Sequence, residues 1–309
     1  MISEPSAQKN LYAHCMLLDE LIKLYKEEKL PNKFIFSGTK GIGKSILAYH
    51  LINYVLSEDE ELSYDHNNYK INSENKTFKL IQNRSNPNFF LIDIADDRKY
   101  IEINQIRELI NNLNKSSFNK KKRFVLIDNI ELLNINAISA LLKILEEPNT
   151  NIIFILINNN KRIPLTIKSR CIEFKVFLTK DQNIELINKI LNDNVYNLVN
   201  DELIDNYITP GKIFEILKFS EEFGIDIKNT NLNKLLILII QNKFYKKNKS
   251  YSQLTYTLIE LYFRKNITVK SKFLMYMYDY FINKINDVKT YNLDEESLFI
   301  EFKEKILNE

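Results

Sequence analysis

The sequence predicts an α/β protein in which a parallel sheet is followed by a helical region. Two short apolar runs, Phe124-Val-Leu-Ile127 and Ile152-Ile-Phe-Ile-Leu-Ile157, are rich in β-branched residues, as buried parallel strands are. The segment between them has apolar residues at helical spacing (138, 141, 142 and 145), and Pro148 predicts the end of that helix. After Cys171 the pattern changes to successive helices.

The same patterns predict the neighbouring elements, which are a helix at 11–29, strands at 34–36 and 89–94, and helices at 46–56 and 105–113. Asn104 is expected to cap the last of these helices. The polar segment 57–86 is predicted to be an irregular insertion with one short element near 77–81. The basic run 119–123 is interpreted as a solvated turn in preference to a DNA contact.

Composition narrows the class of protein. The 309 residues are 45% hydrophobic and 27% charged, which is typical of a globular chain long enough for more than one domain. The net charge of +3 argues against a stand-alone DNA-binding protein. Cys15 and Cys171 are too few for a disulfide framework or a multi-cysteine zinc site. The polar N-terminus has no apolar signal core and no run has membrane-spanning length, so we expect a cytoplasmic protein without membrane contact.

The strongest motif follows the strand at 34–36. Gly38-Thr-Lys-Gly-Ile-Gly-Lys-Ser45 matches the phosphate-binding loop G-x-x-x-x-G-K-[ST]. Its glycines, Gly38, Gly41 and Gly43, allow backbone N–H groups to turn inward around phosphate oxygens. Lys44 is expected to reach the β- and γ-phosphates and Ser45 to hold Mg²⁺. A helix follows, so the phosphates are expected at a helix N-terminus.

Asp128, at the end of the central strand, is predicted to complete a Mg²⁺–nucleotide site with Lys44 and Ser45. The next residue is Asn129, which can orient a water molecule but cannot take its proton. Glu131 is a less favoured substitute for that role. The sequence therefore predicts binding of ATP or ADP with Mg²⁺ and leaves hydrolysis in doubt.

The second half of the chain contains sequence patterns that are typical of helix starts and helix ends. Thr179-Lys-Asp-Gln182 has the pattern of a capping box. Thr209 and Pro210 predict the start of a helix that Gly224 ends. From about residue 230 the apolar spacing is helical to the end of the sequence.

Three motifs in this order resemble the clamp-loader branch of the AAA+ ATPases, and within it the delta-prime subunits of bacterial DNA polymerase III. They are the phosphate loop, Ala140-Leu-Leu-Lys-Ile-Leu-Glu-Glu-Pro148 and Ser169-Arg-Cys171. The resemblance covers residues 10–175 and is most specific in the second and third motifs. It implies a nucleotide-binding domain at 1–176, a helical lid at 177–228 and a helical collar at 229–309.

The resemblance also implies partners and residue roles. The chain would join ATPase subunits of the gamma/tau type and a delta-type subunit in a five-membered ring that places a sliding clamp on primed DNA. Asn158 matches the family's sensor residue at a strand end, and Arg170 matches the arginine that reaches a neighbouring subunit's ATP. Lys212 lies near the second sensor position.

Two departures from the family pattern favour the delta-prime type. The segment 57–86 contains no cysteine where many relatives carry a four-cysteine zinc module, so no zinc is expected. Asn129 replaces the usual catalytic glutamate. The alternatives are the loader's ATP-hydrolysing motor subunit and another AAA+ or unrelated P-loop ATPase.

Overall fold

Two units make up the chain, residues 1–179 and 180–309, and each is described by itself. The computed structural model describes residues 4–94, 98–115, 121–147, 151–267, 272–291 and 293–307. Pro148 lies outside the described residues, as do the first two residues of the basic run at 119–123.

The first unit contains a five-stranded parallel sheet in the order β2-β3-β4-β1-β5. The strands are β1 (Lys33–Ser37), β2 (Phe89–Ile92), β3 (Arg123–Ile127), β4 (Ile152–Asn158) and β5 (Ile172–Lys175). The predicted pairing of the two central apolar runs is confirmed, since Phe124 lies opposite Ile153 in a parallel ladder. All five strands therefore end at the same edge of the sheet.

Helices cover both faces of this sheet. The helices of the first unit are α1 (Cys15–Lys26), α2 (Lys44–Leu56), α3 (Lys76–Gln82), α4 (Ile103–Leu113), α5 (Ile135–Glu146) and α6 (Leu165–Lys168). Alternate residues of β1 enter different cores: Phe34 and Phe36 pack with α1 and α2, whereas Ile35 packs with α4 and α5. This two-sided burial explains why the strands are apolar throughout and do not alternate.

The start of α4 differs from the prediction. Glu102, not Asn104, is the N-cap, and it forms a capping box with Gln105. Asn104 is an exposed residue of the first turn. The Glu102 backbone N–H donates to the Gln105 side chain at 3.0 Å, and this reciprocal bond starts the helix two residues early.

Cations at the amino-terminal edge of the sheet bind the C-terminal carbonyls of three helices. Lys33 Nζ donates to Leu145 O of α5 at 2.6 Å, and Lys121 Nζ donates to Leu56 O of α2 at 3.0 Å. Arg123 donates to Leu113 O of α4 at 2.9 Å. Lys121 and Arg123 of the basic run thus cap helices, whereas the sequence predicted a solvated turn.

The insertion 57–86 packs on α1 and α2 through polar and aromatic contacts. Its predicted short element is the helix α3. Asp19 of α1 accepts from Tyr69 OH at 2.6 Å and contacts His66 Nε2 at 2.8 Å. His50 of α2 pairs with Tyr64 OH at 2.8 Å. Among the residues the structure describes, no three histidine, cysteine, aspartate or glutamate side chains are grouped as a metal site.

The second unit is helical, as predicted, but the change to helices does not come directly after Cys171. The strand β5 follows that residue, and the sequence did not predict it because this short strand is largely exposed and has no continuous apolar run. Its helices are α7 (Lys180–Leu191), α8 (Val195–Leu198), α9 (Pro210–Phe223), α10 (Leu232–Gln241), α11 (Lys249–Asn266), α12 (Lys272–Tyr291) and α13 (Glu295–Phe302). Thr209 precedes α9 as its N-cap residue and Gly224 ends it with φ of 61°. One buried apolar cluster runs from Ile187 to Ile306. No helix in the described part of the chain is both long and apolar enough to cross a bilayer.

We expect Arg123→Met to lower the free energy of unfolding by about 1–2 kcal/mol, because a charge-assisted cap at the C-terminus of α4 is lost. Urea unfolding of the full chain measures this. Arg98→Met, which removes an exposed ion pair with Glu102 at 3.1 Å, is the matched control and should cost at most about 0.5 kcal/mol. Equal losses in the two variants would contradict the capping role.

Candidate nucleotide site

The phosphate loop connects the carboxyl end of β1 to the first turn of α2. Gly41 and Gly43 have φ values of 86° and 94°, which only glycine adopts without strain. A Cβ on Gly38 would lie 2.1 Å from the carbonyl oxygen of Val176, so this position has no room for a side chain. The three glycines therefore satisfy steric requirements of the loop.

Lys44 is 3% exposed and its charge is held inside the loop. Its Nζ donates to Gly38 O at 2.8 Å and to Thr39 O at 2.7 Å. Burial lowers the pKa of Lys44 to about 8, against the opposing attraction of Asp128 and Glu131. An ammonium group so poorly hydrated gains a strong partner when a phosphate oxygen approaches.

Ser45, in the first turn of α2, contacts Asp128, which directly follows β3. Ser45 Oγ donates to Asp128 Oδ2 at 2.6 Å, and the Asn129 backbone N–H donates to Asp128 Oδ1 at 2.8 Å. Burial raises the pKa of the Asp128 carboxyl, with the bond from Ser45 acting in the opposite direction. A hydroxyl and a carboxylate are oxygen ligands of the kind that Mg²⁺ prefers, so these two residues fit a Mg²⁺ ion shared with phosphates.

Asn129 belongs to a chain of polar contacts along the sheet edge. Its Nδ2 donates to Asp93 Oδ1 at 2.8 Å, and its Oδ1 accepts from Asn159 Nδ2 at 2.8 Å. Asn159 also donates to Glu131 Oε1 at 2.9 Å. Asn129 has a φ of 57°, a left-handed conformation that asparagine adopts more readily than most residues.

Asp93 and Asn159, which both contact Asn129, were not among the site residues predicted from the sequence. A signal for Asp93 existed, because it ends the apolar run of β2 as Asp128 ends that of β3. Asn158, the predicted sensor, is buried at the end of β4, and its side chain bonds the backbone of Lys161 in both directions at 3.1 Å. Asn159 is the residue of this pair that contacts Asn129.

Arg170 lies at the opposite edge of the sheet from the phosphate loop. It comes just before β5, whose first residue pairs with Phe34 near the start of β1. Its guanidinium donates to Glu146 Oε1 at 2.6 Å and to Thr166 O at 2.8 Å. The Arg170 side chain is 33% exposed. In the single chain this arginine is therefore part of a surface ion pair.

Lys212 belongs to the second unit, in the first turn of α9. Burial lowers its pKa, and the charge of Arg264 lowers it further, whereas Asp205 and Glu260 raise it. Thr209 Oγ1 is buried and makes no capping bond to α9. The structure thus places Lys212 in a crowded cluster of charges within the helical unit.

These features define a P-loop protein of the AAA+ fold class. The family described as DNA polymerase III, delta subunit, matches residues 14–179, which is more than half of the sequence. The chain belongs to this clamp-loader family.

Individual relatives agree with this assignment. DNA polymerase III subunit gamma/tau of Mycoplasma genitalium is 31% identical over 186 residues, 60% of this chain and 30% of that protein. DNA polymerase III subunit delta′ of Pseudomonas aeruginosa is 30% identical over 141 residues, 45% of this chain and 41% of that protein. The chain thus spans less than half the length of these curated relatives.

A solved structure supports the fold. A DNA polymerase III gamma subunit-related protein from Thermotoga maritima superposes with a TM-score of 0.52 at 17% identity. The match covers 92% of this chain and 97% of that one. At this identity the similarity concerns the fold alone.

We expect the pH dependence of unfolding to reveal the dehydrated Lys44. Because its folded pKa is about 8, against 10.5 ordinarily, the unfolded chain binds more protons at this residue between these two pH values. The contribution of Lys44 to the free energy of unfolding therefore rises with pH in this window. Relative to Lys44→Met, the wild type should gain roughly 2 kcal/mol in urea unfolding between pH 7 and pH 10.

Lys40→Met is the matched control, because it removes an exposed lysine from the same loop. If Lys44→Met and Lys40→Met showed the same dependence on pH, Lys44 would not have the lowered pKa.

Proposed function

We propose that this chain is a delta-prime-type subunit of a DNA polymerase III clamp loader that binds ATP or ADP with Mg²⁺, turns it over slowly or not at all, and supplies Arg170 to a neighbouring ATPase subunit. One observation carries the proposal: the Ser45–Asp128 contact at 2.6 Å is intact, while the position next to Asp128 holds an amide. The side chains that would bind Mg²⁺ are in place, whereas position 129 has no carboxylate to accept a proton.

Each residue of the phosphate loop has a proposed role in nucleotide binding. The backbone N–H groups around Gly41 and Gly43 would surround the phosphates, and Lys44 would exchange its two loop carbonyls for phosphate oxygens. Ser45 and Asp128 would hold Mg²⁺. Asn158 and Lys212 are the proposed sensor residues.

Slow turnover follows from the chemistry of Asn129. A carboxylate at this position can orient water and accept its proton, which speeds hydrolysis, whereas an amide can orient water but cannot accept the proton. Both polar atoms of the Asn129 side chain are also engaged, by Asp93 and by Asn159. The side chain would have to break these bonds even to orient a water molecule.

Asp93 supports a second candidate, an ATP-hydrolysing motor subunit. Its carboxylate lies beside Asn129 at the end of the strand next to β3, and its charge raises the pKa of Asp128, after the larger effect of burial. A carboxylate supplied by β2 would accept the proton that Asn129 cannot. The turnover experiment below separates the two candidates.

The proposed role of Arg170 uses its permanent charge and planar fork, which match two phosphate oxygens. A guanidinium placed against a transferring phosphoryl group stabilises the transition state more than bound ATP, because negative charge spreads there. Its ion pair with Glu146 is partly exposed, and such pairs contribute at most about 1 kcal/mol. Exchanging Glu146 for a neighbour's phosphate therefore costs little.

Assembly is assigned to the helical unit, with 177–228 as a lid and 229–309 as a collar. The first turns of α12 leave the large apolar side chains of Phe273, Met275 and Tyr276 at least 48% exposed. Such side chains are suited to contact with other subunits. We propose gamma/tau-type and delta-type subunits in a five-membered ring as these neighbours, and a sliding clamp and primer–template DNA as the ring's ligands.

We expect the isolated chain to bind Mg-ATP and to release phosphate no faster than Lys44→Ala does, because the amide of Asn129 cannot accept the proton of an attacking water molecule. Calorimetric titration measures binding, and a phosphate-release assay measures turnover. Lys44→Ala should lose binding while remaining folded. Multiple turnovers by the wild type that Asp93→Asn abolishes would instead support the motor subunit.

We expect Arg170→Ala to leave the ring assembled but to lower its DNA-stimulated ATP hydrolysis roughly 2- to 10-fold, less than the arginine fingers of small GTPases because one site of several is affected. The assay uses the loader reconstituted from its own subunits, with gel filtration to confirm assembly. Arg170→Lys should restore little activity, since lysine lacks the fork.

Two variants sharpen this experiment. Arg162→Ala removes an exposed arginine close in sequence and should leave hydrolysis unchanged. Glu146→Gln frees Arg170 from its surface partner and should preserve activity. Wild-type hydrolysis by the Arg170→Ala complex would reduce Arg170 to a surface ion pair.

A further inference from the structure

His14 contacts the phosphate loop although it lies outside the loop motif. The residue precedes α1, and its Nε2 lies 2.8 Å from the carbonyl oxygen of Ile42, the residue between Gly41 and Gly43. Its Cδ2 lies 4.0 Å from where a Cβ on Gly43 would stand. The residue that precedes α1 therefore contacts the phosphate loop.

The proton in this contact can be assigned. A carbonyl oxygen only accepts, so His14 Nε2 donates. Burial lowers the pKa of His14, and the positive charge of Lys44 lowers it further, although the bond to Ile42 opposes both. The ring is then neutral at neutral pH with its proton on Nε2.

The imidazole ring of His14 does not cap its own helix. His14 is the N-cap residue of α1, yet its side chain makes no bond to the α1 backbone. Its backbone adopts the left-handed conformation, with φ of 66°, which is uncommon outside glycine although histidine is enriched there. A strained cap residue whose side chain leaves its own helix for the loop indicates a role in the loop.

The contact between His14 and the Ile42 carbonyl also fixes the orientation of the next backbone N–H, that of Gly43. The Ile42–Gly43 peptide is trans, so the Ile42 carbonyl and the Gly43 N–H point in opposite directions. With the carbonyl held toward His14, the Gly43 N–H must point away from the ring. Gly43 is also the N-cap of α2, where the helix dipole favours an anion.

We propose that His14 is a positioning residue for phosphate: by holding the Ile42 carbonyl, it keeps the Gly43 N–H oriented toward the phosphates of a nucleoside di- or triphosphate. The inference rests on the proposed nucleotide binding and extends it to a residue outside the loop. The ring itself touches no phosphate, and its effect passes through one peptide plane.

The test compares His14→Phe with His14→Gln in the full chain. Phenylalanine keeps a ring of similar size without a donor, whereas the glutamine amide nitrogen stands as many bonds from Cα as His14 Nε2. His66→Phe is the matched control, because that histidine binds Asp19 and lies outside the loop. Thermal unfolding confirms that each variant is folded.

Two measurements are made on each variant. Calorimetric titration with Mg-ADP should show about 3- to 10-fold weaker binding for His14→Phe, the range for loss of one orienting hydrogen bond, and recovery in His14→Gln. Hydrogen exchange of the loop peptide 38–45, measured without nucleotide, should be faster in His14→Phe and restored in His14→Gln. His66→Phe should match the wild type in both.

The two measurements separate the inference from the function on which it rests. Wild-type affinity and exchange in His14→Phe would overturn the positioning role. A loss of affinity that His14→Gln fails to recover would do so as well, because it would not depend on the donor. If the wild type bound Mg-ADP no better than Lys44→Ala, the proposed nucleotide binding and the phosphate role of His14 would both fail; His14-dependent exchange would then leave only a loop contact.

Discussion

The parallel arrangement of β1 to β4 is the constraint on which the candidate site depends. Parallel strands end at one edge, so residues distant in sequence, among them Asp93, Asp128 and Asn159, follow neighbouring strands there. β1 lies beside β4, and the loop after β1 is therefore brought to the same edge. The Ser45–Asp128 contact follows directly from this topology, as ligand sites in open α/β sheets generally do.

Positively charged side chains at the two edges of the sheet have different surroundings. At the amino-terminal edge, Lys33 and Arg123 bind carbonyls at helix ends, where a cation stabilises the fold. At the carboxyl edge, Lys44 donates to loop carbonyls, and its burial lowers its pKa. The same type of charge therefore stabilises helix ends at one edge and is buried inside the phosphate loop at the other.

The contacts along the carboxyl edge also explain why the residue after Asp128 matters. An acid at position 129 would face Asp93, and two carboxylates that close repel each other. Asparagine donates to Asp93 and accepts from Asn159, so it joins the polar chain without that repulsion. Asn129 and Asp93 are thus best understood as a pair, which bears on both candidate functions.

The sequence by itself determined β1 to β4, the phosphate loop and the helical second unit, but not β5, a short and largely exposed strand without a buried apolar run. These features depend on local physics: apolar runs need burial on both faces, and the loop needs glycine at positive φ. The identities of Lys44, Ser45 and Asp128 as one cluster also followed, because parallel strands share an edge. The N-cap of α4 was misplaced by two residues, since asparagine is the residue that commonly caps a helix, whereas here the reciprocal bonds of Glu102 and Gln105 begin it.

Only the tertiary structure decided which side chains meet across distant segments. Asp93 and Asn129 are 36 residues apart, His14 and Ile42 are 28 apart, and no local pattern encodes either contact. The structure also decided that Arg123 caps α4 and that Arg170 pairs with Glu146 in the single chain. The physical reason is common to all four: a polar side chain carries the same local signal whether it meets water, a backbone carbonyl or a partner, and packing selects among them.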